Sequence, residues 1–261
     1  MNDLLTRDVE YEHDGTRMVG ALCAVPGARN APGVLLIHDA FGLSEEMFAV
    51  ARRIGRLGFA VFAADVWGDR TQPATEAEIR PLLGSMVGDR RRWMGRVAAA
   101  HAAATAQPEV DGSALAVLGY CFGGSSALEY LRTGGDVRGV VSIHGGLDLL
   151  DAEGDWSVAR SGVRVLLCTG ADDPMATATQ RVALETAMSR FGVDWEADLY
   201  SGTKHAFTSP KAKNSPNPDV VAYHPRSAAR AWEATARFLR EQFPQAAPVE
   251  DQAVPDRLDR R

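Results

Sequence analysis

Residues Ala114 to Leu128 read ALAVLGYCFGGSSAL. An apolar run, Ala114 to Leu118, meets Gly119-Tyr120-Cys121-Phe122-Gly123-Gly124, and a small-residue helical pattern follows. This is strand, sharp turn, helix, with a nucleophilic side chain at the tip of the turn. The form is the G-x-S-x-G elbow, with sulfur in place of the serine oxygen. A nucleophile so placed sits in a strained backbone conformation, and side chains two positions before or after it would collide. Gly119 and Gly123 occupy those positions, and Gly124 lets the helix pack close to the strand. The free N–H groups and dipole at the start of the helix favour an anion there, and the thiolate is the form of cysteine that attacks. The Phe122 N–H is also a donor for an oxyanion. The competing reading is a buried structural cysteine in a glycine-rich turn, so the partners of Cys121 elsewhere in the chain decide.

Outward from the elbow the pattern repeats. Val34 to Ile37, Phe59 to Ala63 and Gly139 to Ile143 are short apolar runs, the mark of strands buried on both faces, and Val163 to Cys168 is a further strand. Val193 to Tyr200 alternates, with Trp195, Ala197 and Leu199 on one face, as an edge strand would. Helical patterns separate the runs: Ser44 to Leu57, with Ser44 at the N-cap, then 76–87, 89–106, Thr177 to Arg190 and Ala222 to Phe243. Trp93, Val97, Ala100 and Ala104 mark the core face of 89–106. Pro108 to Ser113 reads as a turn, and residues 7–25 as an antiparallel hairpin around Asp14-Gly15. The expected fold is α/β: a mainly parallel central sheet with helices on both faces and an N-terminal hairpin. Residues 1–243 are expected to form one domain, and 244–261, rich in Pro and charge without periodicity, a mobile tail.

Composition sets the outer limits. The chain has 261 residues, 46% hydrophobic and 24% charged, which is ordinary for a globular protein. A net charge of −6 argues against a nucleic-acid surface. No apolar run approaches the roughly 20 residues of a membrane span, and the N-terminus shows no secretory pattern. Three cysteines, Cys23, Cys121 and Cys168, are too few for a disulfide scaffold and fit a reducing cytoplasm. Cys23 and Cys168 fall inside predicted strands and read as core. No His/Cys spacing suggests a metal, and no cofactor is expected.

In parallel sheets ligands bind beyond the carboxyl ends of the strands. Asp39, Cys121, Asp172-Asp173 and His205 all follow predicted strands. Carbonyl attack needs a nucleophile, a base, a group orienting the base and an oxyanion site. Chain order nucleophile, acid, histidine is that of α/β-hydrolases. Cys121, one of the two aspartates and His205 fit it. Of six histidines, His13 lies in the hairpin turn, His101 within a helix and His224 at a helix start, while His38 and His144 end strands and border the site. Of the histidines at strand ends, only His205 follows the acid. The second oxyanion donor is expected from the loop after Ile37, at the Ala40 N–H. Asp39 beside it is a candidate neighbour of the thiol, or a capping acid.

The elbow Gly119 to Gly124, the loop Asp39-Ala40-Phe41-Gly42, the segment Gly170-Ala171-Asp172-Asp173-Pro174 and His205-Ala206-Phe207 resemble the dienelactone hydrolase family, known for carboxymethylenebutenolidases. The resemblance runs over roughly residues 7 to 243. It implies a compact α/β-hydrolase fold without a large lid, a Cys-His-Asp triad of Cys121, His205 and Asp173, and hydrolysis of a small ester or lactone through an acyl-enzyme. It also implies a carboxylate near the resting thiol, usually Glu and here Asp39. Well-known members hold a substrate carboxylate with arginines, one of them four residues after the histidine. Here that position is Ser209, and Arg80 and Arg90 to Arg92 lie where another would come. Two other readings stand beside it: a ligand-binding protein on the same fold with a vestigial site, and a thiol redox sensor using Cys121.

Overall fold

An apolar run without alternation needs cover on both faces, and a sheet between two helical layers supplies it. The computed structural model describes residues 4–151 and 154–248. It contains strands β1 (Leu5–His13), β2 (Thr16–Ala24), β3 (Ala31–Ile37), β4 (Ala60–Ala64), β5 (Val110–Tyr120), β6 (Gly139–Ile143), β7 (Arg164–Gly170) and β8 (Asp194–Tyr200). Helices are α1 (Glu45–Gly55), α2 (Glu76–Val87), α3 (Arg90–Thr105), α4 (Phe122–Arg132), α5 (Ala178–Arg190) and α6 (Pro225–Gln242). The eight strands form one sheet in the order β1-β2-β4-β3-β5-β6-β7-β8. β2 is antiparallel to both of its neighbours, and every other pair is parallel. This is an α/β-hydrolase fold with an N-terminal hairpin, and no lid is evident among the described residues.

Alternate residues of the central strands feed two cores. Leu35, Ile37, Phe62 and Val117 meet Trp93 and Val97 of α3, Leu128 of α4 and Leu184 of α5. Val34, Leu36 and Val61 meet Met47 and Ile54 of α1 and Phe238 and Leu239 of α6. Each such fully buried side chain contributes about 1.5–3 kcal/mol of transfer free energy. The core face expected for 89–106 is the observed one: Trp93, Val97, Ala100 and Ala104 are all fully buried. Cys23 and Cys168 are buried as expected, and burial pushes the Cys168 thiol up to about 12. Helix starts are capped by Thr75, Asp89 and a Thr177–Gln180 capping box. Ser44 does occupy the N-cap of α1, but its hydroxyl makes no capping bond.

Two details differ from the sequence reading. β5 begins at Val110, inside the expected turn: Val110 and Asp111 pair with Ala31 and Pro32 before the register shifts at Gly33. Gly33 permits this, because a Cβ there would lie 2.5 Å from Leu115 and 2.9 Å from Val110. On β8, Trp195 packs on the core, but Ala197 is exposed and Leu199 is 54% exposed. β8 is the last strand of the sheet, and cover on that face ends partway along it. Of the expected tail, residues 244–248 are described, and Ala246 packs against the core beside α6. Residues 249–261 lie outside the described residues.

β5 and α4 meet through glycine. A Cβ on Gly119 would sit 2.0 Å from the Gly123 carbonyl oxygen, and one on Gly123 would sit 2.2 Å from the Ile37 carbonyl oxygen. Both obstacles are backbone, with no flexible end to yield. Gly123→Ala should therefore lower unfolding free energy by more than about 2 kcal/mol. Urea denaturation measures it, and a midpoint equal to wild type would contradict this packing account.

Candidate active site

Cys121 stands between β5 and α4 with φ 53° and ψ −117°. A non-glycine residue at positive φ is costly and persists only where its surroundings over-determine it. Here the Cys121 N–H donates to the Ile143 carbonyl at 3.0 Å, and the Cys121 carbonyl accepts from the Ser125 N–H. Strand β6 therefore holds one side of the turn and α4 the other.

Two loops bring partners to the thiol. His205 lies beyond β8, and its backbone N–H and C=O bond to Val220 O and Ala222 N–H, which closes the 206–219 excursion at its base. His205 Nε2 is 3.1 Å from Cys121 Sγ. His205 Nδ1 is 2.9 Å from Asp173 Oδ2. Asp173 Oδ1 accepts from the Met175 N–H at 2.8 Å, so both carboxylate oxygens are engaged. His205 and Asp173 are each only 2% exposed, whereas Cys121 is half-buried and open to a ligand. Asp172 is exposed and does not reach the histidine. Geometry thus separates the two aspartates that spacing alone left level.

Burial alone would depress the His205 pKa, but the facing Cys121 thiolate and the Asp173 hydrogen bond outweigh it and raise the imidazole well above its usual range. Beside it lies His144, its ring centroid 5.2 Å from that of His205 and its Nε2 2.8 Å from Thr208 Oγ1. Burial, with the charge on His205, holds His144 well below the ordinary histidine range and therefore neutral. The strand-end position of His144 was visible in sequence; its contact with His205 was not.

The Ala40 and Phe122 N–H groups share a further property. Among the described residues neither donates to a backbone or side-chain acceptor. Phe122 is the first residue of α4, where N–H groups have no partner within the helix. Gly123 brings that helix start against Ile37 O and His38 O, the root of the Ala40 loop. Asp39, expected beside the thiol, bonds within its own loop: Oδ1 accepts from the Phe41 N–H at 2.8 Å. The described residues show no hydrogen bond between Asp39 and Cys121. Burial raises the Asp39 carboxyl to about 6 against the pull of the Phe41 N–H, with Glu46 adding to the rise.

The remaining expected positions have other partners. Ser209 Oγ donates to Glu46 Oε2 at 3.0 Å. Arg90 is tied to Glu129 and to the Leu149 carbonyl, Arg92 pairs with Asp89, and Arg80 and Arg91 are exposed. His224 caps α6, and His101 lies against the Tyr130 hydroxyl. Among the described residues no group of His, Cys, Asp and Glu is arranged to hold a metal.

The sequence profile of the dienelactone hydrolase family matches residues 19–243. The chain belongs to the dienelactone hydrolase family. As a member it is a hydrolase acting on esters or lactones. Among solved structures, it resembles a dienelactone hydrolase-like promiscuous phosphotriesterase from metagenomic libraries, at 37% identity and a TM-score of 0.86 over 92% of this chain and 99% of that one. A second structure, m3DLH, matches at 35% identity and a TM-score of 0.84, over 92% and 99% of the two chains. Dienelactone hydrolase from Anabaena variabilis shares the fold at 19% identity and a TM-score of 0.60, covering 94% and 99%. No helix among the described residues is long and apolar enough to cross a membrane.

The histidine makes stability depend on pH. Its folded pKa lies above the ordinary 6.5, so the folded protein keeps a proton that the unfolded chain releases. Its stabilising contribution is complete below about pH 6.5 and is lost as pH rises towards about 10. The stability difference between wild type and His205→Gln should therefore shrink from about pH 6.5 to about pH 10 in urea titrations. A difference that grows with pH would contradict the charge assignment.

Proposed function

We propose that this family member hydrolyses a small, uncharged ester or lactone through an acyl-enzyme on Cys121, without a cofactor. The observation that carries the reading is the line Cys121 Sγ, His205 Nε2, His205 Nδ1, Asp173 Oδ2, with steps of 3.1 and 2.9 Å. The Cys121 thiolate attacks the carbonyl carbon, and the π pair moves to oxygen. The Phe122 and Ala40 N–H groups receive that oxyanion. As the tetrahedral adduct collapses, the C–O bond breaks and the His205 imidazolium protonates the departing alkoxide. In a lactone the leaving oxygen stays tethered to the acyl group. Water then gives a proton to His205 and attacks the thioester, the thiolate leaves, and the imidazolium–thiolate pair is restored. Asp173 fixes the tautomer and supports the imidazolium throughout.

Substrate charge is read from the residues around the thiol. The position that carries an arginine in well-known members is Ser209, and it faces Glu46 rather than a free cation. Asp39 adds a second carboxylate within electrostatic reach of His205. A substrate carboxylate would meet these two acids, with Lys211 as the cation in reach of Asp39. The relation to a promiscuous phosphotriesterase points the same way, since a phosphotriester carries no charge, and such triesters are a second substrate class to test. The redox reading draws no support from the other thiols, because Cys23 and Cys168 are buried. Three free cysteines favour a cytoplasmic setting.

Two outcomes are expected. Cys121→Ala, folded by circular dichroism, should lose p-nitrophenyl acetate and enol-lactone hydrolysis by at least about a thousandfold. Activity that survives removes Cys121 as nucleophile. Wild type should also show higher kcat/KM for an uncharged enol lactone than for a carboxylate-bearing dienelactone. The reverse order would overturn the charge argument while leaving the thiol mechanism in place.

A further inference from the structure

His38 is fully buried at the end of β3, and both of its ring nitrogens are occupied. The Val66 N–H donates to Nε2 at 3.1 Å. A backbone N–H can only donate, so Nε2 is the bare nitrogen and the ring proton sits on Nδ1. Nδ1 lies 2.6 Å from the Asp39 carbonyl oxygen, to which it therefore donates. The tautomer follows from the partners without any appeal to titration. Burial also holds His38 below its ordinary pKa, so the ring is neutral.

The Asp39 carbonyl and the Ala40 N–H belong to one planar trans peptide and point in opposite directions. Fixing the carbonyl fixes the N–H. The neighbouring peptide is held as well: the Ala40 carbonyl accepts from Trp67 Nε1–H at 3.2 Å, and the Phe41 N–H donates to Asp39 Oδ1 at 2.8 Å. The Gly42 N–H adds a second bond to the Asp39 carbonyl at 3.3 Å. Among the described residues the Ala40 N–H has no acceptor, whereas the Phe41 and Gly42 N–H groups that follow it are both engaged. The ring of His38 is itself wedged between Trp67, 5.2 Å away by ring centroids, and Phe122, 6.2 Å away. Phe122 carries the other candidate oxyanion donor, so one aromatic cluster braces both.

We propose that His38 is a positioning residue for acyl transfer: its Nδ1–H holds the Asp39–Ala40 peptide so that the Ala40 N–H faces the oxyanion formed at Cys121. The inference rests on the thiol reading above and adds to it a residue that touches neither substrate nor Cys121. The Asp39 side chain falls into the same device, since its bond to the Phe41 N–H steadies the adjoining peptide. Asp39 acts there as a loop brace.

Two amide substitutions separate the two ring nitrogens. Asn places a donor near the Nδ1 position. Gln places an acceptor near the Nε2 position and leaves nothing at Nδ1. His38→Gln should lose at least about tenfold in kcat for p-nitrophenyl acetate with KM nearly unchanged, because the oxyanion is bound only in the transition state. His38→Asn should recover most of that loss. Alkylation of Cys121 by iodoacetamide, a displacement that forms no oxyanion, should proceed at wild-type rate in both. If Asn and Gln lose kcat equally, or if alkylation slows in step with kcat, His38 is only packing and the proposal fails. Should His38→Gln not fold, Trp67→Phe, which removes the donor to the Ala40 carbonyl, gives the same comparison: kcat falls with alkylation intact, or the brace is refuted. Cys121→Ala run alongside distinguishes the deeper failure, since full activity there would remove the thiol mechanism and the oxyanion at Cys121 with it.

Discussion

The contact between Gly123 and the carbonyl oxygens of Ile37 and His38 is the constraint on which the site depends. It is a place where two backbones touch with no side chain between them. The start of α4, with its unpaired N–H groups, is pressed against the end of β3, where the Ala40 loop begins. Gly119 performs the same service on the other side of the turn, admitting the Gly123 carbonyl where a Cβ would stand. Between these glycines Cys121 is held at positive φ, its sulfur lifted out of the sheet towards His205. The strain is of order 1–3 kcal/mol, small beside the burial that β5 and α4 contribute, and so the turn persists.

Around that contact the protein spends buried polar groups in pairs. Asp173 and His205 are nearly inaccessible, yet each polar atom of the pair has a partner, and the thiol completes the line. Behind the oxyanion loop lies an aromatic stack in which Phe122 meets Trp67 and Trp93 at centroid distances of 4.5 and 5.3 Å. Trp93 in turn donates to Ser126 Oγ on α4. Below them Asp65 accepts from the Val19, Gly68 and Arg70 N–H groups, and Arg96 bonds the Val66 and Trp67 carbonyls. The loop after β4 is thereby fixed on both sides, and it carries Val66 and Trp67, the two residues that reach His38 and Ala40. Rigidity at the site is built from this second loop as much as from the elbow.

Much of this was legible in the residues, because local sterics speak in sequence. Glycines flanking a cysteine between strand and helix announce the elbow, and the order of Cys121, an aspartate and His205 follows from strand-end placement. Apolar runs without alternation announced the parallel sheet. What sequence could not reveal depends on contacts between distant segments. The early start of β5 arises from a register shift opposite Gly33. The exposure of Leu199 arises because β8 ends the sheet, a fact of topology. The bond from the Phe41 N–H to Asp39 Oδ1 is a contact that strand-end placement does not reveal. The link from Val66 through His38 to Asp39 spans segments 28 residues apart, and no periodicity encodes it.

The most direct test of the central claim is mass spectrometry of the enzyme quenched during turnover of p-nitrophenyl acetate. The account calls for an acetyl adduct on the peptide containing Cys121, forming with the burst of p-nitrophenol and decaying at the rate of turnover. Sustained turnover with Cys121 unmodified at every time point, or an adduct on another residue that forms and decays at that rate, would contradict it.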